Sequence, residues 1–387
     1  MSFAGLDAYL REVVGRDPGV PGAVVLVRQG SRKVFHEAYG YAQTLPCRVG
    51  MRRDTLFDLA SLTKPVCTGL VAMRLWQDGA LALERGLSFW FPTPQDSDKA
   101  RITVRHLLCN RSGLPAWRPL YAGVPARSCP VPAETVRGKI LAEPLIAAPG
   151  TREIYSDLGF MLLGWILERQ ADTGLAELFR EKIVAPLGLG RVGFRGIPGE
   201  HGGGDVDPQA VTVAATERCP WRHRVLRGEV HDENGYLIGG VGGHAGLFAP
   251  AEDLDRVVQE IFRGWRGDSD VFSHAGLHTF LVRTPDPAVA GTWALGWDTP
   301  TPDRSTSGRY FSAESCGHTG FTGTSLWIDL ARQVAVILLT NRVHPSRDNE
   351  TIRVLRPRVH DLIMEALLRT RTSVSVGLGP RTEGPRG

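Results

Sequence analysis

The chain has 387 residues, of which 42% are hydrophobic and 22% are charged, and its formal net charge is +4. These fractions are ordinary for a soluble globular protein, and the length suggests two domains or one large two-lobed unit. The small charge and the lack of a long basic run exclude nucleic acid as an expected partner. No apolar stretch approaches the roughly 18 residues that predict a membrane span.

The N-terminal residues carry no basic segment followed by an apolar core, so the sequence predicts no secretory signal and a cytoplasmic protein. A trimmed or wrongly assigned start would leave a periplasmic location open. The six cysteines are scattered without a C-x-x-C pair, which favours free thiols in a reducing compartment. The sequence does not predict the oligomeric state.

The predicted elements begin with an amphipathic helix over 5–15, a buried strand over 22–28 and its hairpin partner over 32–41. Residues 190–245 are dense in glycine and predict long loops. The remaining predictions are a helix that carries Lys64 near its start, helices over 157–171, 253–265 and 351–369, strands over 324–329 and 333–340, and a disordered tail from about 371.

Strands therefore lie near both ends of the chain, with mainly helices and loops between them. This order predicts an α+β fold, in which an antiparallel sheet built from both chain ends is flanked by helices and a mostly helical lobe is inserted. The expected domains are a sheet lobe (1–60 plus 252–370), an inserted lobe (61–251) and a tail (371–387).

Ser61 and Lys64 are the strongest chemical signal. Their spacing places both side chains on one face of a helix. A serine hydroxyl becomes a good nucleophile when a neighbour takes its proton, and a lysine whose pKa is depressed can be that base. The alternative is a helix-capping serine beside a solvated lysine.

Two further motifs could complete such a site. Tyr155 precedes Ser156 and Asp157 at the start of the predicted helix, and a tyrosine there could relay a proton to a leaving group. Asp157 could equally be the N-cap of that helix.

The second motif, His318-Thr319-Gly320, runs into a predicted strand. The glycine could let substrate lie close to the strand, and His318 could bind a substrate carboxylate or assist proton transfer. The amide of Phe321 could pair with that of Ser61 as an oxyanion hole. The alternative is an ordinary surface histidine at the edge of a sheet.

Taken together and in this order, the three motifs resemble the S-x-x-K, Y-x-N and K-T-G or H-T-G motifs of the penicillin-recognising serine hydrolases. The branch most similar holds class C β-lactamases, D-alanyl-D-alanine carboxypeptidases, D-aminopeptidases and esterases. His106–Pro115, Gly317–Thr324 and Leu338–Asn341 are also similar to that branch, so the resemblance covers residues 5–369.

The resemblance implies an active site in a groove between two lobes. It implies that Ser61 is the acylated nucleophile, Lys64 its base and Tyr155 the proton relay, with the amides of Ser61 and Phe321 as the oxyanion hole. Asp157, His318, Thr319 and Gly320 would then contact substrate.

Two residues depart from the pattern of class C β-lactamases. Asp157 stands where the family usually has Asn, and an anion there could repel a carboxylate or hold Lys64 protonated. His318 stands where those enzymes have Lys, and histidine carries less charge at neutral pH. Both departures favour peptidase or esterase chemistry over a dedicated β-lactamase.

Other patterns in the sequence are weaker evidence for function. The loop with His231–Asn234 and Gly239–Gly246 could form a wall of the substrate site or be an ordinary loop. Its match to G-x-G-x-x-A lacks the strand and helix of a dinucleotide site. His274 and His278 are expected on a helix surface, and the sequence predicts neither a metal nor a cofactor.

The sequence thus predicts a metal-independent serine hydrolase that forms an acyl-enzyme with a small molecule or short peptide, on an amide or ester bond. The alternative is a catalytically impaired member of the fold that acts as a binding module, for which Asp157 is the motivation.

Overall fold

The computed structural model describes residues 2–17, 19–93, 97–197, 212–301 and 304–375. The α-helices in these ranges are α1 Ala4–Val13, α2 Leu70–Gln77, α3 Val104–Leu108, α4 Ala133–Ala142, α5 Asp157–Ala171, α6 Leu175–Phe179, α7 Glu233–Leu237, α8 Ala251–Trp265, α9 His274–Leu281 and α10 Ile352–Ser375. The strands are β1 Gly22–Gln29, β2 Arg32–Gln43, β3 Val49–Gly50, β4 Phe57–Asp58, β5 Gly193–Phe194, β6 Ala215–Cys219, β7 Arg224–Arg227, β8 Leu247–Ala249, β9 Ser315–Thr319, β10 Ser325–Asp329 and β11 Val334–Thr340.

Both ends of the chain build one antiparallel sheet of six strands, in the order β3-β2-β1-β11-β10-β9. Strand β1 pairs with β2 on one side and with β11 on the other, so that Ala23 lies opposite Thr340 and Gln29 opposite Val334. The predicted hairpin, the two later strands and the α+β class with a sheet from both ends are confirmed.

Successive side chains of a strand point to opposite faces of the sheet. In the central strands both sets of side chains are buried, so the sheet has a buried layer on each face. In β1, Val25 and Val27 pack with α1 and α10, whereas Val24 and Leu26 face the larger core that includes α8. Fully apolar central strands are expected where both faces of a sheet are covered.

The helix that carries Lys64 begins irregularly. Residues Ala60–Leu62 form a 3₁₀ turn, Lys64–Gly69 are π-helical, and regular α-helix follows only in α2. Ala60 has φ of 47°, a left-handed conformation that is uncommon for a residue with a side chain. Local strain of this kind persists only when the surroundings hold it, and it often marks a functional site.

Some predicted bounds are wrong. The segment 190–245 contains β5, β6, β7 and α7 rather than long loops alone, although 198–211 lies outside the described residues. Helix α10 continues to Ser375, so the first residues of the predicted disordered tail are helical, and 376–387 lie outside the described residues. The division into a sheet lobe and an inserted lobe stays a prediction.

Within the described ranges, no helix combines the length and apolarity needed to cross a membrane.

Candidate active site

Ser61 and Lys64 are in direct contact. The Lys64 amine donates a hydrogen bond of 2.8 Å to the Ser61 hydroxyl, and the Lys64 side chain is 0% exposed. The alternative of a solvated lysine beside a capping serine is therefore wrong.

The Lys64 amine has two further oxygen contacts. Its Nζ lies 2.7 Å from Oδ1 of Asp157 and donates a hydrogen bond of 3.1 Å to the carbonyl oxygen of His244. It also lies 4.8 Å from the centre of the Tyr155 ring, in the geometry of a cation–π contact. The amine is thus held in one place by groups from three separate segments.

The charge state of this cluster follows from two opposed effects. Burial lowers the pKa of Lys64, but the nearby Asp157 carboxylate and Tyr155 outweigh it, and the pKa of Lys64 lies above its usual value. Burial raises the pKa of Tyr155 despite the opposing effect of Lys64. The resting site therefore holds an ammonium, a carboxylate and a neutral phenol.

Tyr155 is positioned by the segment before α5. The Ile154 amide donates to the carbonyl of Asn110, and the Ser156 amide donates to the Asn110 side chain. Ser156, rather than Asp157, is the N-cap of α5, because its hydroxyl accepts from the Gly159 amide. Asp157 is thereby free to face Lys64 from the first turn of the helix.

His318 lies on β9 with 3% of its surface exposed, so it is not a surface histidine. Burial first, and then the charge of Lys64, lower the pKa of His318 to about 3. Its ring packs 5.1 Å from that of Trp293 and 5.8 Å from that of Tyr155. The histidine is therefore a neutral group at physiological pH.

Gly320 lies in a tightly packed turn that has no room for a side chain. A Cβ at this position would come within 2.4 Å of the Leu59 carbonyl and 2.1 Å of the Thr324 hydroxyl. The Thr324 hydroxyl itself donates to that carbonyl, and Thr322 donates to the carbonyl of Asp58. The turn after β9 therefore packs onto the residues just before Ser61, which places the H-T-G motif beside Ser61.

The glycine-rich loop supports the lysine. Besides the contact of its carbonyl with Lys64, His244 places its ring nitrogen Nε2 3.0 Å from the Asp232 carboxylate. The neighbouring Gly243 carbonyl accepts a hydrogen bond of 2.6 Å from the Thr68 hydroxyl. Sequence reasoning identified the loop as a possible wall of the site but missed its backbone contact with Lys64. The repeated glycines were the only signal for it.

Many of the side chains described above line one cavity of about 900 Å³. Ser61, the tyrosine and the H-T-G motif all contribute to its lining, as do Phe321 and the loop residues. Trp117 and Phe321 are the exposed aromatic side chains there, at 42% and 49%. Trp293 and Asp298 also line it and were not anticipated, because nothing in their local sequence distinguishes them.

Asp298 is a second titratable group in the cavity. Burial raises its pKa to about 6, although hydrogen bonds from the Thr292 hydroxyl and the Thr299 amide oppose this.

His274 and His278 lie together on α9 against Trp265, and both are exposed as predicted. Among the described residues, no group of three or more His, Cys, Asp or Glu side chains is arranged to hold a metal ion.

Comparisons with known proteins agree with this geometry. The family description "Beta-lactamase" matches residues 6–359. Relatives from Escherichia coli O157:H7 and strain K12, each named "Putative D-alanyl-D-alanine carboxypeptidase", are 32% identical over 381 residues, covering 88% of this chain and 82% of theirs. The chain belongs to the beta-lactamase family, and it is a serine hydrolase of the type that includes the penicillin-binding proteins.

Solved structures share the fold. "EstCE1, a hydrolase with promiscuous acyltransferase activity" is similar with a TM-score of 0.71 and 24% identity, covering 94% of this chain and 98% of that one. The octameric penicillin-binding protein homologue from Pyrococcus abyssi has a TM-score of 0.69 and 19% identity, over 92% of this chain and 77% of that one. Likeness at this level of identity establishes the architecture alone.

Proposed function

We propose that this protein hydrolyses an amide or ester bond through an acyl-enzyme on Ser61, and that its substrate is a D-amino-acid peptide or small ester rather than a β-lactam antibiotic. The observation that carries the proposal is the buried Lys64 amine, 2.8 Å from the Ser61 hydroxyl and 2.7 Å from the Asp157 carboxylate. The names of the curated relatives and the neutral His318 favour the same substrate classes.

The first step must free the lysine of a proton, since the ammonium cannot accept one. In the proposed sequence, the proton passes from Lys64 to Asp157, which leaves a neutral amine and a neutral carboxyl. A substrate that excludes water favours this transfer, because two separated charges are costly in a dry site. The amine then takes the Ser61 proton as Oγ bonds to the substrate carbonyl carbon, and the carbonyl electron pair moves to oxygen.

Collapse of that intermediate needs an acid. Tyr155 starts as a phenol and donates its proton to the leaving nitrogen or oxygen as that bond breaks. The Lys64 ammonium then returns a proton to Tyr155, and Asp157 passes its proton back to the Lys64 amine, which restores the resting ion pair. The amides of Ser61 and Phe321 are the proposed donors to the oxyanion, and Thr319 at the end of β9 and Gly320 just after it would flank the acyl group.

The test is a panel of p-nitrophenyl esters, D-alanyl peptides and nitrocefin, with intact-mass detection of an acyl adduct. We expect turnover of an ester or peptide and an adduct that disappears in Ser61→Ala. Full activity in Ser61→Ala would sink the mechanism. The absence of both turnover and adduct across the panel would instead favour the alternative of a binding module.

A further inference from the structure

Asp58 is a buried carboxylate that lies just before the turn of Ser61. It ends β4, 2% of its surface is exposed, and it takes part in no ion pair among the described residues. Burial raises the pKa of Asp58, although the amides of His231 and Ala60 oppose this. A carboxylate that is buried without a cation is costly, so the contacts that it makes need a specific explanation.

The two carboxylate oxygens of Asp58 bind two backbone amides from distant parts of the chain. Oδ1 accepts a hydrogen bond of 2.8 Å from the Ala60 amide, and Oδ2 accepts one of 2.6 Å from the His231 amide. Ala60 is the residue with the left-handed φ of 47°, directly before Ser61. The carboxylate therefore stabilises an uncommon backbone conformation that sets the direction of the Ser61 amide.

Asp58 is also connected to Phe321, the other proposed donor to the oxyanion. The Thr322 hydroxyl donates a hydrogen bond of 2.8 Å to the backbone carbonyl of Asp58. The His231 ring stacks on the Phe321 ring, with 5.6 Å between the ring centres and 26° between the planes. Asp58 thus contacts the Ser61 turn directly and the segment of Phe321 through these two neighbours.

The relative position of the two donors matters for catalysis. An oxyanion hole stabilises the transition state only when both N–H groups point to the place that the oxyanion will occupy, and small displacements weaken the effect. Ser61 and Phe321 are far apart in sequence, so local chain geometry does not fix their separation. A residue that binds both segments can fix it.

We propose that Asp58 is a positioning residue for the oxyanion hole, and that its carboxylate and its backbone carbonyl hold the amides of Ser61 and Phe321 in their productive arrangement. This inference rests on the proposed function and goes beyond it, because it gives a part in the reaction to a side chain outside the lining of the cavity. Asparagine is a poor substitute for this carboxylate. It offers one acceptor oxygen and an NH₂ donor, so one of the two bound amides would lose its acceptor.

The kinetic test compares Asp58→Asn with the wild type on p-nitrophenyl butyrate, with phenylboronic acid as a mimic of the tetrahedral intermediate. In the mimic, Oγ of Ser61 adds to boron as its proton leaves, and a boron hydroxyl takes the place of the oxyanion. We expect kcat to fall roughly tenfold to a hundredfold with little change in KM, since removing an oxyanion donor outright costs about 10²–10³. The inhibition constant of phenylboronic acid should rise by a similar factor.

Thr322→Val tests the same connection without touching the carboxylate. It removes the hydroxyl that binds the Asp58 carbonyl, and it should lower kcat and weaken phenylboronic acid in the same way, though by less. This second variant keeps the inference testable if Asp58→Asn does not fold.

Asp253→Asn is the matched control. Asp253 is also buried, at 6% exposed, and takes part in no ion pair among the described residues. Its Oδ2 accepts hydrogen bonds of 2.7 Å from the amides of Arg191 and Val192, and it lies outside the lining of the cavity. Because these contacts are made away from the oxyanion hole, kcat and the affinity for phenylboronic acid should both stay those of the wild type.

The boronate also separates this inference from the proposed function. Binding to the wild type that is lost in Ser61→Ala supports Ser61 as the nucleophile, whatever Asp58 does. Given such binding, equal boronate affinities for the wild type, Asp58→Asn and Thr322→Val would overturn the positioning role alone. If the wild type forms no boronate adduct and hydrolyses no ester, the proposed function fails and this inference fails with it.

Discussion

Lys64 and Asp157 form an ion pair at the wall of the candidate active-site cavity, with 2.7 Å between Nζ and Oδ1. Asp157 stands at the position where the resembled family usually has Asn. The consequence is electrostatic: the carboxylate keeps the pKa of Lys64 high although burial alone would lower it. The lysine is therefore charged at neutral pH, and the proposed mechanism requires it to give up a proton before acylation.

Replacing Asp157 by Asn should make the lysine easier to deprotonate. The substitution removes an opposite charge, which typically shifts a pKa by about 1–3 units, and it leaves burial as the dominant effect on Lys64. Because the variant lacks the carboxylate that accepts the lysine proton in the proposed sequence, the amine must lose that proton to solvent, and kcat/KM should gain an acid limb at the pKa of Lys64 that the wild type does not show. Pre-steady-state acylation measured from pH 5 to 9 checks this.

The matched control is Asp348→Asn, which removes an exposed carboxyl from the same cavity but not from the ion pair with Lys64. It should keep the wild-type profile, without an added acid limb. An unmoved profile in Asp157→Asn would mean that Lys64 is not the base.

Replacing Lys64 by Met should separate stability from catalysis. The single change leaves the Asp157 carboxylate without its ion-pair partner, and breaking a buried pair typically costs about 3–5 kcal/mol. The double change Lys64→Met with Asp157→Asn removes both charges and should recover much of the free energy of unfolding. Denaturant titrations of the four proteins give the coupling between the two sites.

Neither Lys64→Met protein should recover acylation. Loss of a positioned base typically costs about 10²–10⁴ in rate. If the double variant regained wild-type acylation, Lys64 would be a structural residue. The stability recovery thus shows that the double variant is folded, which makes its inactivity informative.

Much of this architecture could be predicted from local patterns. The hairpin, helix α5 and the last two strands of the sheet follow from periodicity. The contact of Ser61 with Lys64 follows from their spacing, because the residues involved are close in sequence. Tyr155 and His318 were predicted as site residues from the order of the three motifs along the chain, and the structure brings both rings to the same cavity as Ser61.

What the sequence missed depends on contacts between distant segments. The neutrality of His318 follows from burial and from the charges of Lys64 and Arg356, which no local pattern encodes. The contact of Lys64 with the backbone oxygen of His244 likewise cannot be predicted from the sequence, since every residue has such an oxygen. The alternative that Asp157 is the N-cap of α5 was wrong because Ser156 and Asp157 are both good caps, and the fold around Asn110 selects Ser156.

Asp298 should make stability depend on pH. Its folded pKa of about 6 lies above its ordinary value of 3.8, so its ionised form is disfavoured in the folded state. The stability that the neutral carboxyl contributes is present below pH 4 and is lost as pH rises from about 4 to 6. Relative to wild type, Asp298→Asn should therefore gain stability on going from pH 4 to pH 7.5, by at most roughly 3 kcal/mol.

Urea denaturation of both proteins at the two pH values measures that difference. Asp348→Asn is a suitable comparison, since Asp348 lines the same cavity near its surface and has an exposed side chain. It should show little of the pH-dependent gain. A gain for Asp298→Asn that was equal at both pH values would show that its carboxyl does not titrate in this range.

The Gly243 position tests whether the loop beside Lys64 is a support or a passive wall. A Cβ there would lie 2.2 Å from the Phe160 carbonyl and 2.9 Å from Gly164, both in α5, so Gly243→Ala must push the loop away from the helix. Overpacking of this kind costs about 1–3 kcal/mol. Displacing the loop should also move the His244 carbonyl off the lysine and reduce kcat.

Gly138→Ala is the control, because Gly138 is exposed inside α4 and has open space around its Cα. It should raise stability by roughly 0.5–1 kcal/mol without affecting kcat, as expected when alanine replaces glycine within a helix. Thermal melts and steady-state kinetics on the best ester measure both effects. If Gly243→Ala lowered the melting temperature but left kcat unchanged, the His244 carbonyl would have no part in holding Lys64 for the reaction, because a displaced support must alter the position of the amine that it binds.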